Sequence, residues 1–326
     1  RLAYDEILAN LLVLSQVRKR VRKFKKKNKV FDQQLSMKII KNFNFSLTVG
    51  QKKIIEDINK DLTSDIKMFR LLQGDVGSGK TIVSFIAAAN VIRSNYQVAL
   101  MAPTEILARQ HYNLAMKIFK SSNINIELLT GSYDHADKKD IQKNLSTGKI
   151  NFLIGTHALF QKNILFKNLG LVIIDEQHKF GVKQRINLSN KGGKNCDILL
   201  MSATPIPRTL ILAVYGDMDV SKLIEKPLDR KNILTLSKPE EKINEILIFV
   251  KKQIEKGNQI FWVCPLIDES KKLDYSAAIK KYKELSKKFF KRVGLIHGDL
   301  EKEKRNKVLN DFLQKKIVIL VSTTVI

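Results

Sequence analysis

The sequence has only two cysteines, Cys196 and Cys264, in 326 residues, and neither stands at a metal-ligand spacing from a histidine. A cysteine-based metal centre is thereby excluded, and both thiols, lodged in apolar strand-like runs, are expected to be buried and reduced. Long hydrophobic runs are missing as well. Stretches such as residues 198–201 and 317–321 fall far short of the roughly 20 residues needed to cross a bilayer, so no membrane segment is expected. The opening residues include Tyr4, Asp5, Glu6 and Asn10 and lack the basic-then-apolar order of a secretory signal, which leads to the expectation of a cytoplasmic protein. Acidic side chains are the third scarcity: 32 Asp and Glu face 58 Lys and Arg, for a formal net charge of +26. Such an excess points to a polyanionic partner, nucleic acid first, bound by phosphate neutralisation and counterion release. Lysine is abundant throughout, so part of the excess is compositional.

Apolar material is plentiful. A hydrophobic share of 44% and a length of 326 residues supply cores for two ordinary domains and exclude a wholly disordered chain. Residues 1–40 open on a helical pattern, Leu8, Leu11, Leu12 and Leu14, and turn into a basic run at 18–29. This segment is expected to be a basic helical linker, an exposed helix or arm that either guides duplex DNA or is a solvated face. From residue 69 to 220, short apolar runs at 69–72, 98–102, 126–129, 152–154, 171–174 and 198–201 alternate with helix-patterned segments. That is the signature of a parallel sheet covered on both faces. A second alternation has runs at 233–236, 259–263, 293–296 and 317–321, separated by lysine-rich helical segments at 240–255, 276–288 and 301–313. The expectation is an α/β protein with two parallel-sheet domains in tandem, at 41–228 and 229–326. The second is expected to be incomplete, because a crossover helix normally follows such a last strand.

Gly74, Asp75, Val76, Gly77, Ser78, Gly79, Lys80 and Thr81 match the phosphate-binding loop pattern, after one apolar run and before an apolar helix at 82–89. Glycines let backbone amides curl around phosphates, and the helix N-terminus adds partial positive charge. Lys80 is placed to reach the β and γ phosphates and Thr81 to ligate magnesium. A magnesium nucleotide also needs a carboxylate at the end of a neighbouring strand. The run 171–174 ends on Asp175 and Glu176, with Asp175 expected to hold the metal and Glu176 to orient or deprotonate the attacking water.

The stretch Asp175-Glu-Gln-His-Lys-Phe-Gly-Val-Lys-Gln-Arg185 resembles motif II of superfamily 2 helicases in the form used by the RecG family. Other motifs follow in family order. Phe45-Ser-Leu-Thr-Val-Gly-Gln51 resembles the adenine-reading segment, Met101-Ala-Pro-Thr-Glu-Ile-Leu-Ala-Arg-Gln-His111 motif Ia, and Ile154-Gly-Thr-His157 motif Ib. Met201-Ser-Ala-Thr-Pro-Ile-Pro-Arg-Thr-Leu210 resembles motif III, Phe261-Trp-Val-Cys-Pro-Leu-Ile-Asp-Glu-Ser270 motif IV, and Val321-Ser-Thr-Thr-Val-Ile326 the opening of motif V.

The resemblance implies two RecA-like domains that close on ATP and reopen after hydrolysis, driving translocation on branched DNA in repair and recombination. It also implies monomeric action with no stable protein partner. It assigns adenine recognition to Gln51, and adds Gln177 and His178 to the catalytic set of Lys80, Asp175 and Glu176. Ser202 and Thr204 become couplers of nucleotide state. DNA backbone contacts are expected from Thr104, Arg109, Thr156, His157, Ser322, Thr323 and Thr324. Compared with the family, the N-terminal wedge domain and motif VI, with its arginines, are absent, so the chain is expected to bind ATP and hydrolyse it poorly. Three alternatives stay open: a non-hydrolysing remnant that binds ATP and DNA, a translocase of the transcription-repair coupling type, and an RNA helicase.

Overall fold

The structure is a computed structural model that describes residues 25–43, 46–131, 135–161, 163–176, 191–204, 218–225, 233–264, 271–290, 292–298 and 300–323. The chain divides into two compact units, Arg1–Lys231 and Asn232–Ile326.

In the first unit, β1 (Phe69–Gly74), β2 (Gln97–Met101), β3 (Ile126–Leu129), β4 (Phe152–Gly155), β5 (Leu169–Ile174), β6 (Asp197–Ser202) and β7 (Asp219–Leu223) form one seven-stranded sheet. Its order is β3-β4-β2-β5-β6-β1-β7 and every pair is parallel. Successive side chains of a strand point to opposite faces, so the sheet builds two cores. Leu72, Val98, Leu100, Phe152, Ile154, Leu171, Ile173, Leu199 and Met201 serve one. Leu71, Ala99, Met101, Leu153, Val172, Ile174 and Leu200 serve the other. This double burial is why the central strands read as unbroken apolar runs.

Helices α1 (Gln33–Asn42), α2 (Val49–Thr63), α3 (Lys80–Arg93) and α4 (Glu105–Ile118) cover the first core, and α5 (His135–Thr147) lies over the second. Residues 80 and 82–91 of α3 are all buried, because α1 and α2 pack over a helix that already lies on the sheet; a helix enclosed in this way is apolar all round. Phe85 at its centre meets Phe119 and Phe152 at ring-centroid distances of 5.7 and 5.8 Å.

The second unit has β8 (Ile260–Val263), β9 (Val293–Ile296) and β10 (Ile319–Ser322) in a parallel sheet of order β8-β10-β9, with α6 (Ile243–Glu255), α7 (Lys271–Phe289) and α8 (Lys302–Leu313). Leu247, Val250, Leu285, Val293, Ile319 and Val321 are in its main core. Among the described residues no helix is long and apolar enough to cross a membrane.

The structure departs from the sequence reading in four places. The run 233–236 is not a strand. Ile233, Leu234 and Leu236 are 72%, 82% and 70% exposed, since no neighbouring strand accepts their backbone. Strand β7 was not anticipated, because an edge strand buries little and Asp219–Leu223 carries few apolar residues. Cys196 is buried, but Cys264 is only partly so. Within the basic run, residues 26–30 are non-helical, and Lys26 and Lys29 are buried against Asp197, each with no side-chain exposure. A charge in the interior needs a partner, and here the partner lies far away in sequence. The rest of the basic run, 18–24, lies outside the described residues.

Candidate nucleotide site

Strands β5, β6 and β1 are neighbours and parallel, so their carboxyl ends open side by side, the usual position of a ligand crevice in such a sheet. β1 leads into the loop 75–79 and then α3. The loop can be tight only because of its glycines. A Cβ at Gly74 would meet Ser78 Oγ at 2.6 Å and Leu223 Cβ at 2.8 Å. Gly79 has φ +90° and a Cβ there would run into the amide of Gln51. Lys80 Nζ donates to the carbonyl oxygens of Gly74 and Asp75 at 2.6 and 3.0 Å. Burial lowers the affinity of this amine for its proton, while Glu176, Asp175 and Asp75 raise it. The ammonium is thus desolvated, faces carboxylates, and is held by weak neutral acceptors that a phosphate would outcompete. Ser78 Oγ is buried without a hydrogen-bond partner, a polar atom left for a ligand to satisfy.

Gln51 is buried and both ends of its amide are engaged. Oε1 accepts from Thr48 N at 3.0 Å, and Nε2 donates to Ser78 O at 2.9 Å. The first bond is half of a capping box that starts α2; the second ties that helix to the phosphate loop. Adenine pairing would have to displace these bonds. Glu225, just beyond β7, accepts from Gly50 N at 2.9 Å. That bond, then one with the Thr48 side chain, holds its carboxyl below the usual range.

Asp175 follows β5, anchored by its N–H to Met101 O at 2.8 Å. Glu176 adopts φ +47°, a left-handed conformation that is unfavourable for a residue with a Cβ. Its Oε2 accepts from Ala203 N at 3.4 Å. Ser202 Oγ and Thr204 Oγ1 lie 3.0 Å apart, and Gln73 Nε2 of β1 donates to Thr204 O at 3.0 Å. The turn after β6 is therefore joined to Glu176 on one side and to β1 on the other. Gln73 and His111 had no assigned role in the sequence reading. His111 Nε2 is 2.8 Å from Asp175 Oδ2, with both groups buried. A polar residue on the otherwise apolar inner stripe Ala108, His111, Ala115, Ile118 of α4 was the available signal.

The residues expected to touch DNA are scattered in character. Thr104 caps α4, accepting from Leu107 N at 3.3 Å, and Arg109 pairs with Glu105 at 2.8 Å. Thr156 is buried at the end of β4 with its hydroxyl unpartnered, and His157 is exposed beside it. Ser322 and Thr323, in the second unit, are buried with unpartnered hydroxyls. Gln177, His178 and Thr324 lie outside the described residues.

Among the described residues no three His, Cys, Asp or Glu side chains cluster as a metal cage. That suits magnesium, which usually arrives with phosphates and several waters and takes only one or two carboxylates. Thr81 beside Lys80, with Asp175, fits such a donor set.

The DEAD/DEAH box helicase family matches residues 48–212, and the helicase conserved C-terminal domain matches 238–326. The ATP-dependent DNA helicase RecG of Thermotoga maritima is 45% identical over 328 residues, covering 100% of this chain and 42% of that protein. RecG of Bacillus subtilis is 44% identical, covering 100% of the chain and 48% of that protein. The chain thus spans less than half the length of these relatives. Among solved structures, RecG bound to a three-way DNA junction superposes with a TM-score of 0.80 at 43% identity, covering 100% of this chain and 43% of that one.

Proposed function

The chain belongs to the DEAD/DEAH box helicase family, and from that membership we propose that it is the motor part of an ATP-dependent DNA helicase acting on branched DNA. The observation that carries this reading is the 45% identity to a RecG helicase along the whole chain. The sheet edge that brings together Lys80, Asp175 and Glu176 supports it.

In this reading Lys80 leaves the carbonyls of Gly74 and Asp75 for the β and γ phosphates, and the unpartnered Ser78 hydroxyl and the loop amides take the remaining phosphate oxygens. Thr81 and Asp175 would hold magnesium, which supplies neutralisation of phosphate charge when bound. Glu176 orients or deprotonates the attacking water. Ser202, Thr204 and Gln73 report the state of Glu176 to the turn after β6, since Ala203 N already bonds its carboxylate. Thr104, Arg109 and His157, which are exposed, contact the DNA backbone and read no bases, whereas Thr156 is buried.

The test is magnesium-ATP hydrolysis by the chain with and without a three-way DNA junction, with Lys80→Ala and Glu176→Gln as controls. Turnover, however slow, that rises with the junction and vanishes in both variants is expected. Hydrolysis indifferent to DNA, or stimulated by RNA alone, would overturn the reading.

A further inference from the structure

We propose that His111 is a positioning residue for the nucleotide site, holding the Asp175 carboxylate in the orientation that a magnesium nucleotide requires. The inference rests on the function proposed above and adds to it a residue on a different element.

Three observations meet at this pair. First, His111 interrupts an apolar stripe. The buried residues of α4 are Ala108, His111, Ala115 and Ile118, so an apolar side chain would complete the packing and a histidine needs a reason to be there. Second, the contact is specific. Nε2 lies 2.8 Å from Asp175 Oδ2, and each residue is only 8% exposed. An ionised carboxylate only accepts hydrogen bonds, so Nε2 carries the proton. Third, the other oxygen is also fixed, since Oδ1 accepts from Glu176 N at 3.0 Å. A carboxylate gripped at both oxygens cannot rotate about its Cβ–Cγ bond, yet each oxygen keeps a lone pair for a further ligand.

Asp175 sits directly after β5, where the chain turns through the left-handed residue Glu176. Backbone alone sets where the carboxylate starts, and His111 sets the plane in which its lone pairs point. Hydrogen bonds of this outer kind orient metal-binding carboxylates, and losing one commonly weakens metal affinity about 10–100-fold. The bond also spans 64 positions of sequence, from the helix that carries Thr104 and Arg109 to the end of β5.

The experiment measures binding of a fluorescent ATP analogue as magnesium is titrated, alongside binding in excess chelator. The unsubstituted chain, His111→Leu, His111→Gln and His111→Asn are compared, with thermal melts of each. Leucine keeps the packing and removes the donor. Glutamine places an N–H close to the position of Nε2, whereas the amide of asparagine ends nearer that of Nδ1. The half-saturating magnesium concentration is expected to rise about 10–100-fold in His111→Leu and His111→Asn and to return close to normal in His111→Gln, with binding in chelator unchanged throughout. An unaltered magnesium dependence in all three variants would reduce His111 to a satisfied core residue. Equal loss of binding with and without magnesium would do the same. Should His111→Leu fail to fold, the contrast between the glutamine and asparagine variants decides in the same way. If the unsubstituted chain itself shows no magnesium-dependent binding sensitive to Lys80→Ala, the helicase reading fails first and takes this inference with it.

Discussion

Replacing Asp197 by asparagine removes one charge and strands two. Lys26 Nζ lies 2.9 Å from both carboxylate oxygens, and Lys29 Nζ lies 2.5 Å from Oδ2. The same carboxylate accepts from Met68 N at 2.7 Å. Asp197→Asn keeps the shape and the bond from Met68 and leaves two buried ammoniums without their counter-ion. Removing one partner of a buried ion pair destabilises by about 3–5 kcal/mol. The fold has one escape: the strap 25–30 can peel away and hydrate its lysines. Peeling would break Lys26 N to Asp65 O, Lys29 N to Leu62 O, Lys27 N to Asn195 Oδ1 and Val30 N to Ser94 Oγ. At about 1 kcal/mol for each of these bonds, the escape is no cheaper. Both routes predict a loss of about 3–5 kcal/mol, or a melting temperature lower by about 6–20 °C for a unit of this size. Circular-dichroism melts and urea titrations measure the loss, and limited trypsin digestion reports whether the strap has opened. A variant that melts within about 2 °C of the parent, with its strap still resistant, would refute the reasoning. Adding Lys26→Met and Lys29→Met to Asp197→Asn should recover most of the loss, since well-packed apolar side chains often replace buried ions without penalty.

Burial pushes the Cys196 thiol up from 9.0 to about 12. Between those values the folded chain keeps a proton that the unfolded chain releases, so this group's contribution is complete below about pH 9 and is lost as pH rises. Near pH 10 the loss is about 1.4 kcal/mol. The difference in stability between the parent and Cys196→Ala, followed from pH 8 to 10, should shrink by roughly that amount; a flat difference would refute the assignment. Lys26, whose affinity for its proton is lowered chiefly by burial, acts with the opposite sign but is common to both proteins and cancels. Gln51→Glu should separate the two bonds of that side chain. A carboxylate can still accept from Thr48 N and complete the capping box, but it cannot donate to Ser78 O. Because the new carboxylate is buried and faces the Ser78 carbonyl with no counter-ion, melting temperature should fall by several degrees while ATP affinity falls about tenfold, as read by calorimetry; unchanged affinity would reverse the argument.

Much of the first sheet was legible because parallel strands covered on both faces must be apolar at every position, as Leu171, Val172, Ile173 and Ile174 are. The phosphate loop was legible because its glycines answer to local geometry, and Gly79 at φ +90° is the clearest instance. Periodicity misled at 233–236, where apolar residues stand exposed without a ladder partner, and it passed over β7, an edge strand. The contacts that organise the site were illegible for a common reason. His111 and Asp175 are 64 positions apart, and Gln73 and Thr204 are 131. A polar residue's role is set by what folding brings to it, and spacing along the chain carries no trace of that.

The same limit applies to the net charge of +26 as a sign of DNA binding. Several of the lysines that make up this charge are occupied inside the first unit. Lys26 and Lys29 serve Asp197, and Lys29 also donates to Asn195 O at 2.9 Å. Lys191 donates to the carbonyl oxygens of Leu159, Gln161 and Ile164 at 3.1, 2.6 and 2.9 Å. Such ammoniums hold the fold and release no counterions on meeting DNA, so the salt dependence of binding counts only the cations that reach phosphates. For the basic run this decides how a guiding role must be probed. Deleting residues 1–30 would remove two buried anchors along with any DNA contact, and a weakened salt dependence could then come from a damaged fold. Lys25 and Lys27 are exposed neighbours of the two anchors, and substituting only these leaves the Asp197 cluster in place while removing charge that DNA can reach.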